Sequence, residues 1–112
     1  MSYVLYQWAL SDEQIAKVNA GEMPVFYQEY FKMIMGDVGA VQRNWGQYQP
    51  VAEIDAPGLE EAFQIGNIGP EQAIKRLGRM RSVSVGNVLI GQDGGAHAVA
   101  TFGFKPVELM EG

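Results

Sequence analysis

The spacing of apolar positions changes character along this chain, and each change marks an element. Residues 3–9, Tyr-Val-Leu-Tyr-Gln-Trp-Ala, are aromatic and β-branched and predict a strand. Ser11 with Gln14 three positions on has the spacing of a capping box. It predicts a short helix to about Ala20, with Ile15 and Val18 inward and Gly21 as its stop. Pro24 opens a second helical pattern, in which Phe26, Tyr30, Met33 and Ile34 recur at helical spacing. Tyr27 and Phe31 widen that face, so a helix packed on two sides is expected. Gly36, Gly39 and Gly46 break up the next stretch, where Trp45 and Tyr48 need cover.

Val51 to Ile54 reads as a short strand. Asp55 and Pro57 open a third helix with Glu60 and Glu61 in its first turn, where the helix dipole favours acids. Leu59, Ala62 and Phe63 form its core face, and Gly66-Asn67 ends it. Pro70 predicts a fourth short helix, with Ile74 and Leu77 as its apolar pair and Gly78 as its stop. The remainder reads as sheet. Val83 and Val85 alternate with Ser82 and Ser84, and Val88-Leu89-Ile90 is a short strand. Asp93-Gly94-Gly95 signals a hairpin, with a return strand over 96–102 and a last one over 104–109. Val83, Val85, Val88 and Ile90 are all expected to be buried. The fold class is therefore α+β: a mainly antiparallel sheet, built from the N-terminal strand and a C-terminal β-meander, with short helices packed on it.

Length and composition fit this picture. A chain of 112 residues, 47% hydrophobic and 19% charged, fits one globular domain over residues 1–112 and buries a core without staples. Cysteine is absent, which removes disulfides, thiolate metal sites and cysteine nucleophiles together. Met1-Ser2-Tyr3-Val4 lacks the basic region of a secretory signal, and no apolar run approaches the ~18 residues of a membrane span. The expectation is a cytoplasmic protein without a membrane partner. The net charge of −5 disfavours a global attraction to nucleic acid, although a local basic patch still binds.

One such patch is present. Lys75, Arg76, Arg79 and Arg81 make up four of the eight lysines and arginines. They read as an anion or partner patch, or more plainly as helix-end charge compensation beside a solvated turn. Arg81 is expected at the edge of the sheet, because Gly78 ends a helix only three residues before it. His97 is the single histidine, and no His, Glu or Asp stands near it at metal-ligand or triad spacing. Gly91-Gln92-Asp93-Gly94-Gly95 lacks the Lys-Ser/Thr and the helix of a phosphate loop. No catalytic, cofactor or metal pattern is assigned.

Arg81-Ser82-Val83-Ser84-Val85-Gly86-Asn87-Val88 resembles the signature of the YodL-like family, in which Arg-Ser, a hydrophobic residue and Ser-Val precede Ser or Gly, Asp and Val. Leu59, Phe63, Asn67 and Pro70 resemble the family's upstream helix, Asn and Pro, and Gly103-Phe104 its closing pair. Asn87 stands where the family has Asp, and Ala98-Val99-Ala100 replaces its usual aromatic pair. The family comprises small domains of plasmids, phages and integrative elements, of unassigned activity. The resemblance implies a non-enzymatic protein-interaction module of a mobile element, with a regulatory or counter-defence role and a host or element-encoded protein as partner. A nucleic-acid-binding module using the 75–81 cluster is the alternative, and a small enzyme without a recognisable motif is the second. Independently of the family, Ser82 and Ser84 share one side of an extended segment, Gly86 and Asn87 are suited to a turn, and Asn87 can bond backbone amides.

Overall fold

A computed structural model describes residues 2–22 and 25–109, with the side chain of Val25 outside the description. The first strand, β1 (Ser2–Gln7), is central rather than peripheral. On one side it pairs antiparallel with β2 (Gln49–Asp55), Leu5 opposite Ala52. On the other it pairs antiparallel with β4 (Val88–Gly91), Leu5 opposite Leu89. β3 (Ile74–Arg76) adds to β2, and β5 (Ala96–Val99) and β6 (Phe104–Pro106) extend the meander. The order is β3-β2-β1-β4-β5-β6, antiparallel throughout. This is the expected α+β fold.

The period-two alternation of β1 serves two cores. Tyr3 and Leu5 face one of them, with Ile54 of β2, Leu89 of β4 and Val99 of β5. Helix α4 (Leu59–Ile68) closes this side through Ala62, Leu59 and Phe63. Tyr6 and Trp8 face the other, with Val88, Ala96 and Ala98. Here α2 (Val25–Ile34) and α3 (Val38–Arg43) form the cover, supplying Met33, Ala40 and Val41. Helices therefore lie on both faces of the sheet. The 36–50 stretch finds its cover in aromatic contacts: Trp45 sits 4.9 Å from Tyr6 and 5.1 Å from Tyr48, and Trp8 sits 5.1 Å edge-on to Tyr30.

Local chemistry fixes several element ends as expected. Ser11 and Gln14 form the capping box of α1 (Asp12–Asn19), at 3.1 and 2.9 Å. The β4–β5 hairpin turns on Gly94 at positive φ, with Asp93 Oδ1 accepting from the Gly95 N–H at 2.9 Å.

Other expectations are corrected. No residue of α1 is buried: Ile15 is exposed and Val18 is half-buried. Pro24, expected to open α2, lies outside the described residues. α2 is packed on one side only, with Met33 buried and Phe31 and Ile34 exposed. α4 runs on to Ile68, because Gly66 packs against Val83 inside the helix and Gly69, at φ +99°, makes the stop. The helix expected after Pro70 is a single 3₁₀ turn at Glu71–Ala73 followed by β3. Residues 74–76 are too few to sustain a helix, and the free edge of β2 offers them a ladder, Ile74 opposite Ile54. The return strand ends at Val99 and the last strand at Pro106.

The strand expected over Ser82–Val85 does not form; these residues run as irregular backbone into a turn at Val85-Gly86. Exposure still alternates: Ser82 and Ser84 are exposed and Val83 is buried. Of the four residues expected in the core, Val83 and Val88 are buried, whereas Val85 and Ile90 are half-buried.

Gly86 closes the turn at φ +91°, and a Cβ there would collide with the Met33 sulfur and stand 2.8 Å from the Met33 carbonyl oxygen. Gly86→Ala therefore combines left-handed strain with overpacking. It is expected to cost about 3 kcal/mol, read from the shift of a urea denaturation midpoint at unchanged slope.

Candidate functional site

The signature segment is held by side chains, not by a ladder. Gln7, the last residue of β1, is buried on the Tyr3–Leu5 side of the alternation. Its Oε1 accepts from the Arg81 N–H at 3.0 Å, and its Nε2 donates to the Arg81 carbonyl at 3.0 Å and to Asn87 Oδ1 at 3.1 Å. Asn87, also buried, accepts from the Ser84 N–H at 2.9 Å through the same Oδ1, while its own N–H returns to the Ser84 carbonyl at 3.1 Å. This is the backbone-bonding role expected of Asn87. Asn67 Nδ2 donates to the Val83 carbonyl at 3.1 Å, from α4. The Tyr48 hydroxyl donates to the Gly86 carbonyl at 2.6 Å, from the opposite face. A buried backbone group without a partner costs about 1–3 kcal/mol, so four side chains from separate elements replace what a neighbouring strand would supply.

Held this way, residues 81–87 stand as a wall between two hollows. On one side is a groove of about 270 Å³ against α2, walled by Trp8, Tyr30, Met33 and Ile34. Arg81, Ser82, Ser84 and Asn87 also line it. On the other is a cleft of about 390 Å³ toward α4, bounded by Phe63, Val83, Val99 and Phe104, with Glu60 at its rim. Phe63 and Phe104 meet edge to face at 6.4 Å there.

The candidate residues separate into two groups. Arg81, Ser82, Ser84 and Asn87 converge on the groove, with Gly86 buried behind them against Met33. The basic cluster does not stay together. Lys75 lies opposite Glu53 on the β2–β3 ladder and lines a separate hollow with Glu53 and Asp55. Arg76 is paired with Glu71 at 2.8 Å. Arg79 is exposed, and Arg81 has an exposed side chain on a clasped backbone. Lys75 and Arg76 thus sit on an edge strand, not at a helix end, with Glu53 of β2 across from one and Glu71 of the 3₁₀ turn paired with the other, and their charges blunt that edge against further pairing. His97 is half-buried in β5. Among the described residues, no three His, Cys, Asp or Glu side chains gather to hold a metal ion, and no helix is long and apolar enough to cross a membrane.

Sequence reasoning passed over Gln7; it noted Asn67 as a match to the family, Tyr48 as an aromatic in need of cover and Trp8 as part of a strand, without their places around this segment. The signal for Gln7 was present: a polar residue on the inward phase of an otherwise apolar strand.

Position 87 needs an acceptor. Asn87→Asp keeps one for both bonds and is expected to cost within about 1.5 kcal/mol. Asn87→Leu orphans the Ser84 N–H and one Gln7 contact and is expected to cost about 3 kcal/mol, both read by urea denaturation. Burial, with Tyr30 as a lesser contributor, pushes the Tyr48 phenol above its ordinary value of 10.0. The unfolded chain then ionises at lower pH than the native one. The stabilisation is complete below about pH 10 and is lost as pH rises toward the native value. Tyr48→Phe is expected to lose about 1–2 kcal/mol at pH 7 and to show a shallower fall in stability between pH 10 and 11 than the parent, in paired urea titrations.

No protein-family model, curated protein or solved structure matches this chain.

Proposed function

We propose that this chain is a non-enzymatic protein-interaction module, and that it binds a host or element-encoded protein through the face that carries residues 81–87. The observation that carries this reading is a group of large apolar side chains left in solvent at the end of α2 and on the turn after Thr101, both adjoining Val85. Phe102 is 91% exposed, Met35 66%, Phe31 51% and Ile34 41%. They belong to two parts of the chain that meet. A Cβ on Gly36 would lie 3.2 Å from the Thr101 hydroxyl and 3.9 Å from Val85, which brings the end of α2 against the turn that bears Phe102. Single exposed apolar residues are ordinary, but several on one face mark a surface that a partner covers. The resemblance of residues 81–88 to the YodL-like signature supports a mobile-element setting and, with it, a regulatory or counter-defence role.

The nucleic-acid reading has less support. It needs Lys75, Arg76, Arg79 and Arg81 to act together, and two of the four already face carboxylates. A duplex backbone would find Arg79 and Arg81 only, whereas strong salt-dependent binding uses several cations at once.

A photo-cross-linking side chain at position 35 or 102 is expected to capture one defined protein from host lysate, competed by excess unlabelled chain. The same group at position 77, amid the basic cluster, should capture none. Nucleic acid captured at 77, with nothing at 35 and 102, would replace this reading with the alternative.

A further inference from the structure

The groove between α2 and residues 81–87 is too small for most cofactors. Sites for drug-sized ligands run from about 300 to 1,000 Å³, and this one holds about 270 Å³. That is room for one large side chain. Its walls are largely apolar, the Tyr30, Ser82 and Ser84 hydroxyls can donate or accept, and its charged group is a cation. Arg81 brings a guanidinium. Asn87 spends its Oδ1 on Ser84 and Gln7, which leaves the Nδ2 hydrogens facing no acceptor among the described residues. Trp8 is 3% exposed, and its indole Nε1 is buried without a hydrogen-bond partner among the described residues. That nitrogen is closed to water, so a guest in the groove meets the indole ring and not this donor. No Asp or Glu lines the groove.

We infer that this groove is the seat for an apolar side chain of a partner segment that carries a carboxylate beside it. The apolar walls take the side chain. The carboxylate meets the Arg81 guanidinium and the Asn87 amide, and the guest side chain packs against the Trp8 ring. The net charge of −5 does not forbid an acidic guest, since charges more than about 8–10 Å away are largely screened at physiological ionic strength. The groove also opens beside exposed Ile34, next to Met35, so a segment leaving it continues along the apolar face. The inference rests on the reading of that face as an interaction surface and adds the chemistry of what it receives.

The test is a titration followed by ¹H–¹⁵N correlation spectra, which report the donors themselves. The chain has two tryptophans, so Trp45→Phe assigns the Trp8 indole signal. The probe is a short blocked peptide with a phenylalanine between two aspartates. Its counterpart has asparagines in their place. The acidic peptide is expected to move the Trp8 Nε1–H and Asn87 side-chain amide signals, and to bind about tenfold more tightly than the asparagine peptide. Arg81→Ala should remove that tenfold preference and Arg81→Lys should keep part of it, with spectral dispersion unchanged in both. Equal binding of the two peptides, or silence of both signals, would overturn the assignment. Cross-links at positions 35 and 102 that persist alongside that silence would overturn the groove alone and leave the interaction face standing.

Discussion

The structure turns on one buried amide. Gln7 sits where the central strand runs out, and it bonds both backbone groups of Arg81 as a paired strand would. An irregular segment that crosses the end of a sheet must have its partly buried polar backbone satisfied, because water replaces only some of those bonds. Gln7, Asn87, Asn67 and Tyr48 meet that condition together, each from a different element. Their positions then dictate much else. Tyr48 must lie under Gly86, so the 36–50 stretch is pinned against the α2 side of the sheet. Asn67 must reach Val83, so α4 must pass close enough for Gly66 to touch that valine.

The same frame gives the two hollows their shared wall. Ser84 and Val85 border both the groove toward α2 and the cleft toward α4. The wall is made of residues whose side chains alternate outward and inward while the backbone stays fixed by others. Chemistry is thus displayed on a loop, as functional groups often are, but the loop is held nearly as firmly as a strand.

Much of this was legible wherever the cause is local. The capping box of α1 and the Asp93-Gly94 turn depend on residues a few positions apart, and each formed as read. The fold class followed from periodicity. What stayed hidden depends on distant partners. Ile74 and Leu77 carry helical spacing, yet the free edge of β2 decided their conformation. Ser82 to Val85 alternate like a strand, but no strand lies beside them; besides Asn87 three residues beyond Ser84, the groups that hold this segment come from Gln7, 74 and 75 residues before Arg81 and Ser82, and from α4. The site was half legible. Arg81, Ser82, Ser84 and Asn87 do share a surface, whereas Lys75 and Arg76, their neighbours in sequence, lie on the β3 edge, where Arg76 pairs with Glu71. Trp8 gave no signal, since an aromatic in a strand is core by default and only the missing partner of its indole sets it apart.

The central place of β1 also sets an order on synthesis. The ribosome makes this strand first, and β2 can join one of its edges once residue 55 has emerged. Its other edge waits for β4, and the apolar side that Tyr6 and Trp8 share is closed only when Val107 arrives. Until β4 has been made, the nascent chain carries an open, aromatic strand edge, the feature that invites wrong pairing between chains. Slow synthesis of residues 56–91 would lengthen that window, and fast synthesis would shorten it.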